Sequence, residues 1–120
     1  MACILFVDDD YYTLETYGEI ISFMGHQAIL TESAERAFQI LDTQLPDLIV
    51  VDMYLPDMDG FAFLKRLRAD PRTAKIPAVM VSANPDIYAR RAIEAGAQHY
   101  MSKPIYPEKL LAILEENREI

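Results

Sequence analysis

Four places in the chain put a chemically able side chain at the end of a short apolar run. Cys3 to Val7 (CILFV) leads into Asp8, Asp9 and Asp10; Leu48 to Val51 (LIVV) leads into Asp52; Ala78 to Val81 (AVMV) leads into Ser82; and His99 to Met101 is followed by Lys103 and Pro104. Carboxylates gathered in one place repel one another, which raises some of their pKa values unless a cation neutralises them. Hard oxygen ligands without His or Cys favour Mg²⁺, with metal–oxygen distances of about 2.0–2.1 Å. A metal beside a carboxylate, with Lys and Ser opposite, can carry out phosphoryl transfer to that carboxylate. Metal and ammonium offset charge on the equatorial oxygens, and the hydroxyl donates to a third. The aspartate is then a nucleophile that becomes an aspartyl phosphate.

These groups meet only if the apolar runs are neighbouring strands. The three solid runs read as strands covered on both faces, as in a parallel sheet, and Gln27 to Leu30 and His99 to Met101 complete a set of five. Between them lie segments of helical length. Asp10 to Met24 carries Leu14, Tyr17, Ile21 and Met24 on one stripe, and Ser33 to Leu41 opens on a capping serine. Phe61 to Arg68 carries Phe61, Leu64 and Leu67. Asp86 to Ala95 stops at Gly96, and Pro107 suits a first helical position before Leu110, Leu111 and Leu114. Five strands alternating with five helices predict a doubly wound, five-stranded parallel α/β sheet in three layers, of the flavodoxin-like (βα)5 kind, with residues 1–120 forming one domain. Ligands in such sheets bind beyond the carboxyl ends of the strands, where strand order reverses.

Composition narrows the function. With 120 residues, 52% apolar and 25% charged, the chain suits one globular domain. Its net charge of −8 is the wrong sign for a surface that neutralises phosphates, so neither nucleic acid nor a membrane is an expected direct partner. Residues 1–47 hold nine acids and one base, Arg36, so the excess is N-terminal; Glu15, Glu19, Glu32, Glu35 and Asp42 lie on or near the first two helices. A single cysteine, Cys3, allows no internal disulfide, and the short first apolar run is no leader sequence, so a cytoplasmic setting is expected.

The residues at the strand ends match a known family. In Phe6-Val7-Asp8-Asp9, in Val51-Asp52-Met53-Tyr54-Leu55-Pro56-Asp57-Met58-Asp59-Gly60, in Ser82-Ala83 and in Tyr100-Met101-Ser102-Lys103-Pro104, the chain resembles the receiver domain of two-component response regulators over essentially its full length. The resemblance implies that Asp52 is the phosphoacceptor. It implies that Asp9, Asp52 and the backbone carbonyl of Tyr54 hold Mg²⁺, with Asp8 acting through a metal-bound water. By the same resemblance Lys103 and Ser82 bind the phosphoryl oxygens, Ser82 and Tyr100 form the switch, and Lys103–Pro104 is a cis peptide. The donor is then a histidine kinase or a histidine phosphotransfer protein. The readout is by a downstream protein or output domain, through a face carrying Arg90, Arg91, Tyr100 and Lys109. Such a protein is not an enzyme with a separate substrate.

Other residues have plainer expected roles. Asp10 caps the first helix, Asp57 and Asp59 serve the following loop and helix start, and Gly60 permits the turn. His26, His99 and the six methionines pack or face solvent. Lys65, Arg66, Arg68, Arg72 and Lys75 form a solvated basic face. Tyr11 and Tyr12 either dock the phosphodonor or pack on a nearby loop. Bulky Tyr54, and Asn84 with no carboxylate, predict slow loss of the phosphoryl group. The spacing Asp8-x-Asp10 leaves a rival, a phosphatase with an aspartate nucleophile. A scaffold that ignores phosphate is a second rival.

Overall fold

The computed structural model of the chain describes residues 1–83 and 86–118. Among these residues, strands β1 (Cys3–Val7), β2 (Gln27–Thr31), β3 (Leu48–Asp52), β4 (Ala78–Ser82) and β5 (His99–Ser102) alternate with helices α1 (Tyr11–Phe23), α2 (Ala34–Leu41), α3 (Gly60–Ala69), α4 (Ala89–Ala95) and α5 (Pro107–Arg118). All strand pairs are parallel, and the sheet order is β2-β1-β3-β4-β5. The doubly wound α/β fold expected from the sequence is the one observed.

Successive side chains of a strand point to opposite faces, so each inner strand feeds two cores. Leu5, Val7, Ile49, Val51 and Met80 pack with Leu41 of α2, Phe63, Leu64 and Leu67 of α3, and Ala92 of α4. Ile4, Phe6, Leu48, Val50, Val79 and Val81 pack on the other face with Leu14, Tyr17 and Ile21 of α1, and Leu110, Ile113 and Leu114 of α5. This is why the runs carry no polar alternation. Burying one such Leu, Ile or Phe side chain contributes about 1.5–3 kcal/mol.

Helix ends follow their capping residues. Asp10 caps α1 by accepting the Tyr12 N–H at 3.1 Å, Ser33 caps α2 by accepting the Arg36 N–H at 3.1 Å, and Asp59 caps α3 by accepting the Ala62 N–H at 2.8 Å. Gly96 ends α4 with φ of 118°, a conformation open to glycine. Two expectations shift. The helix expected over 86–95 is a short 3-10 turn, Asp86–Tyr88, followed by α4, and Tyr88 at the cap position makes no side-chain capping bond. Strands β2, β3, β4 and β5 each run one residue past their expected runs, since backbone pairing continues through Thr31 (opposite Val7), Asp52 (opposite Val81), and Ser82 and Ser102 (opposite each other). Among the described residues no helix is long and apolar enough to cross a membrane.

Candidate functional site

From β1 the chain turns one way to β2 and the other way to β3, so the crevice lies at the carboxyl ends of β1 and β3. Asp8 leaves β1 with its N–H donated to the Thr31 carbonyl at 3.1 Å, and its Oδ1 accepts the Asp10 N–H at 2.9 Å. Asp52 ends β3 after four apolar residues, and both Asp8 and Asp52 are buried, at 3% and 8% exposure. Asp9 is exposed. One carboxylate oxygen from each of Asp8, Asp9 and Asp52 lies within 4.8 Å of the others.

Lys103 arrives from the far edge of the sheet. Its backbone N–H donates to the Ser82 carbonyl at 2.8 Å, and the Lys103–Pro104 peptide is cis. Its Nζ then lies 2.9 Å from Asp8 Oδ2 and 3.1 Å from Asp52 Oδ2. Ser82, at the end of β4, is 1% exposed. Tyr100, paired with Met80 across β4 and β5, is half-buried against the core under α3 and α4.

Electrostatics follow from this crowding. Burial raises the pKa of Asp52, opposed by the Lys103 ammonium and reinforced by the charge of Asp8; the Tyr54 N–H, donating to the carboxylate, also works to lower it. Burial works against the charge of Lys103, but its hydrogen bond to Asp8 and the charges of Asp52 and Asp8 outweigh that, and its pKa is raised. The lysine is held as an ammonium. Three clustered carboxylates with no sulfur or imidazole suit a hard divalent cation such as Mg²⁺.

The model of the response regulator receiver domain matches residues 4–115. The chain belongs to that family. A putative response regulator from Chloroflexus aurantiacus superposes with a TM-score of 0.88 at 34% identity over 97% of this chain and 96% of its own. The CheY-like receiver domain of Methylobacillus flagellatus gives a TM-score of 0.86 at 31% identity, covering 98% of each chain. The phosphate regulon transcriptional regulatory protein PhoB of Pseudomonas aeruginosa is 31% identical over 113 residues, which are 93% of this chain and 49% of PhoB. An uncharacterized 14.6 kDa protein of Leptolyngbya boryana is also 31% identical, over 94% of this chain and 87% of its own length.

In this receiver domain Asp8, Asp9, Asp52 and Lys103 come together, and several other residues depart from their expected roles. Asp10 is spent as the α1 cap, its other oxygen accepting the Thr13 hydroxyl at 2.9 Å, and it stands outside the carboxylate cluster. The Asp8-x-Asp10 phosphatase reading needs that second carboxylate beside Asp8, so the capping role of Asp10 speaks against it. Asp57 serves a helix start, but that of α2: its carboxylate accepts the N–H groups of Ala34 at 3.0 Å and Glu35 at 2.8 Å, and these bonds, Glu35 first, hold its pKa down against slight burial. Gly60 is needed for close approach rather than for the turn: its φ is not positive, and a Cβ there would stand 2.8 Å from the Asp52 carbonyl oxygen and 2.8 Å from Met80 Cε.

The basic face is not simply solvated. Arg68 is half-buried and donates to the carbonyls of Gly96, Thr73, Ala74 and Ile76; Arg72 bridges Asp42 and Asp70; and Arg66 lies 4.0 Å above the Phe38 ring. Arg91, expected on a readout face, lies 4.2 Å over the Phe61 ring and so joins α4 to α3. Tyr11 and Tyr12 are exposed, with their rings in edge contact. Tyr54 is 59% exposed beside a cleft shared with Phe61, Tyr88 and Arg91. Asn84 lies outside the described residues. Nothing in the local sequence pattern signals the reach of Asp57 or Arg68, because their partners are 22 to 28 residues distant or are backbone carbonyls.

Proposed function

We propose that this receiver domain is a phosphorylation switch in which Asp52 accepts a phosphoryl group from a phosphohistidine, borne by a histidine kinase or a histidine phosphotransfer protein. A carboxylate oxygen of Asp52 bonds to phosphorus as the P–N bond breaks, and the electron pair of that bond stays on the imidazole nitrogen. The observation that carries this reading is the Lys103 ammonium lodged between Asp8 and Asp52, where it can meet a phosphoryl oxygen without moving far. Asp9, Asp52 and the Tyr54 carbonyl would hold Mg²⁺, with Asp8 acting through a metal-bound water, and the ion would offset the charge spread over the transferring group. Ser82 donates its hydroxyl to a phosphoryl oxygen, and Tyr100 responds to that movement.

Residues 1–120 act as one receiver unit whose chemistry is its own phosphorylation and dephosphorylation. The setting is cytoplasmic. The exposed Glu15, Glu19, Glu32 and Glu35 give the phosphodonor an acidic side to meet, with Tyr11 and Tyr12 at its edge. A downstream protein or output domain reads the face of Arg90, Arg91, Tyr100 and Lys109. Neither nucleic acid nor membrane is contacted directly.

The test is incubation with Mg²⁺ and acetyl phosphate, followed by intact mass, for the wild type and Asp52→Ala. One phosphoryl group on the wild type and none on the variant is the expected result. No gain on the wild type, repeated with a phosphohistidine donor, would leave the phosphate-independent scaffold as the better account.

A further inference from the structure

Strand β2 stands at the edge of the sheet and pairs on one side only, with β1. Which of its backbone groups face the open side follows from two bonds on the closed one. The Gln27 N–H donates to the Ala2 carbonyl at 2.9 Å, and the Thr31 carbonyl accepts the Asp8 N–H at 3.1 Å. Backbone groups alternate sides along a strand, so Gln27, Ile29 and Thr31 face β1, while the N–H and C=O of Ala28 and Leu30 point outward. The side chains of the same two residues lie on the α1 face of the sheet. There they line a groove of about 400 Å³ with Glu15, Gly18, Glu19 and Ser22 of α1.

The floor of this groove is apolar. Leu30 is 42% exposed, and Gly18 passes so near it that a Cβ would stand 3.1 Å from Leu30 Cδ1. Spacings of three and four put Glu15, Gly18, Glu19 and Ser22 on one stripe of α1, and Phe23, four residues past Glu19, ends that stripe 92% exposed. This is the opposite flank of α1 from the cleft that Tyr12, Thr16 and Ile20 line beside Lys103. Edge strands are commonly guarded by charge, proline or a bulge. Gln27–Thr31 (QAILT) carries no charge and no proline, and its register with β1 runs without a bulge. The guard stands beside the strand instead, in the exposed Glu15, Glu19 and Glu32, and all of it is negative.

That sign selects the occupant. Two copies pairing edge to edge would bring these glutamates together from both sides, at a net charge of −8 each, and would repel. A basic extended segment has no such conflict, and its backbone can pair with Ala28 and Leu30. We propose that the β2 edge docks an extended, basic segment of a partner protein by strand addition, with apolar side chains in the groove beside α1 and lysine or arginine at Glu15, Glu19 and Glu32. The docking is independent of whether Asp52 takes a phosphoryl group.

The experiment titrates the full, isotopically labelled chain with a short capped peptide, lysine-threonine-valine-threonine-valine-threonine-lysine, whose valines and lysines share one face. Hydrogen exchange at the Ala28 and Leu30 amides should slow, while that at Ile29, already turned to β1, should change little. Glu19→Gln, an exposed change that leaves the core untouched, should weaken binding about two- to fivefold, the worth of one exposed ion pair. Leu30→Lys, which puts a charge on the groove floor, should abolish binding. The same peptide N-methylated throughout keeps its side chains but cannot pair, and should not bind. No binding of the unmethylated peptide to the wild type at millimolar concentration overturns the proposal. Binding that leaves the Ala28 and Leu30 amides exchanging freely overturns it in favour of a helix or a diffuse cation on the acidic face. Self-association of the chain that protects the same two amides, followed by sedimentation, overturns it in favour of a second copy.

Discussion

Lys103 Nζ lies 3.1 Å from Asp52 Oδ2 while paired at 2.9 Å with Asp8, so a single ammonium holds two buried carboxylates at the same edge of the sheet. Without it, two like charges would face each other with little water to screen them. Lys103→Met should therefore destabilise the fold by on the order of 2 kcal/mol, less than a fully buried pair because a quarter of the Lys103 side chain is exposed. Adding Asp8→Asn to the same chain should recover much of that loss. Urea unfolding at neutral pH measures both. Equal stability of Lys103→Met and the double variant would mean that the carboxylates do not repel across this distance.

Asp52 gives a prediction of opposite sign. Its folded pKa is raised, chiefly by burial, so folding favours the protonated carboxyl. The contribution of the protonated group to stability is complete below the ordinary Asp range and is lost as pH rises through the raised folded value. Asp52→Asn removes the titration and should be more stable than the wild type at neutral pH by on the order of 1 kcal/mol, the gain common when a functional group held unfavourably is relieved. The difference between the two proteins should shrink as the pH falls through that window, as followed by urea unfolding at a series of pH values. A difference independent of pH would assign the gain to packing instead.

How far the sequence leads depends on whether a signal is local. Cys3–Val7 is a strand because five consecutive apolar residues need cover on both faces, and the same logic places Leu48, Ala78 and their successors. Since those runs end in Asp8, Asp52 and Ser82, the convergence of the site follows once the strands are parallel neighbours. What cannot be read this way acts at a distance or through backbone. Asp57 reaches 23 residues back to Ala34, Arg68 reaches forward to the Gly96 carbonyl, and Gly60 is required by the Asp52 carbonyl oxygen behind it. Arg68 looks like a solvated charge in a sequence because its partners, four carbonyls, have no charge of their own, and the ring under Arg91 is equally silent.

Asp57 is the clearest of these distant contacts to test. It accepts two N–H groups in the first turn of α2 that would otherwise lack partners, beside the ordinary cap Ser33. Asp57→Ala should cost about 1 kcal/mol, as for loss of a capping side chain. Because its folded pKa is lowered, its contribution is present above the ordinary Asp range and is lost as pH falls through the folded value. Thermal melts of wild type and variant should therefore converge in acid. Hydrogen exchange at the amides of Ala34 and Glu35 should quicken in the variant while those of α3 do not.

Divalent metal supplies the last prediction. Asp9 is the exposed member of the cluster of three carboxylates, so replacing it disturbs the buried Asp8–Lys103–Asp52 arrangement least. Mg²⁺ binding to the folded chain should raise its stability by about 2.7 kcal/mol at one hundred times the dissociation constant, and chelation should reverse the gain. Asp9→Asn should melt close to the metal-free wild type and show little further response to Mg²⁺. A variant that gains as much as the wild type at the same Mg²⁺ concentrations would place the metal elsewhere, and Asp9 would then be a surface carboxylate with no part in the site.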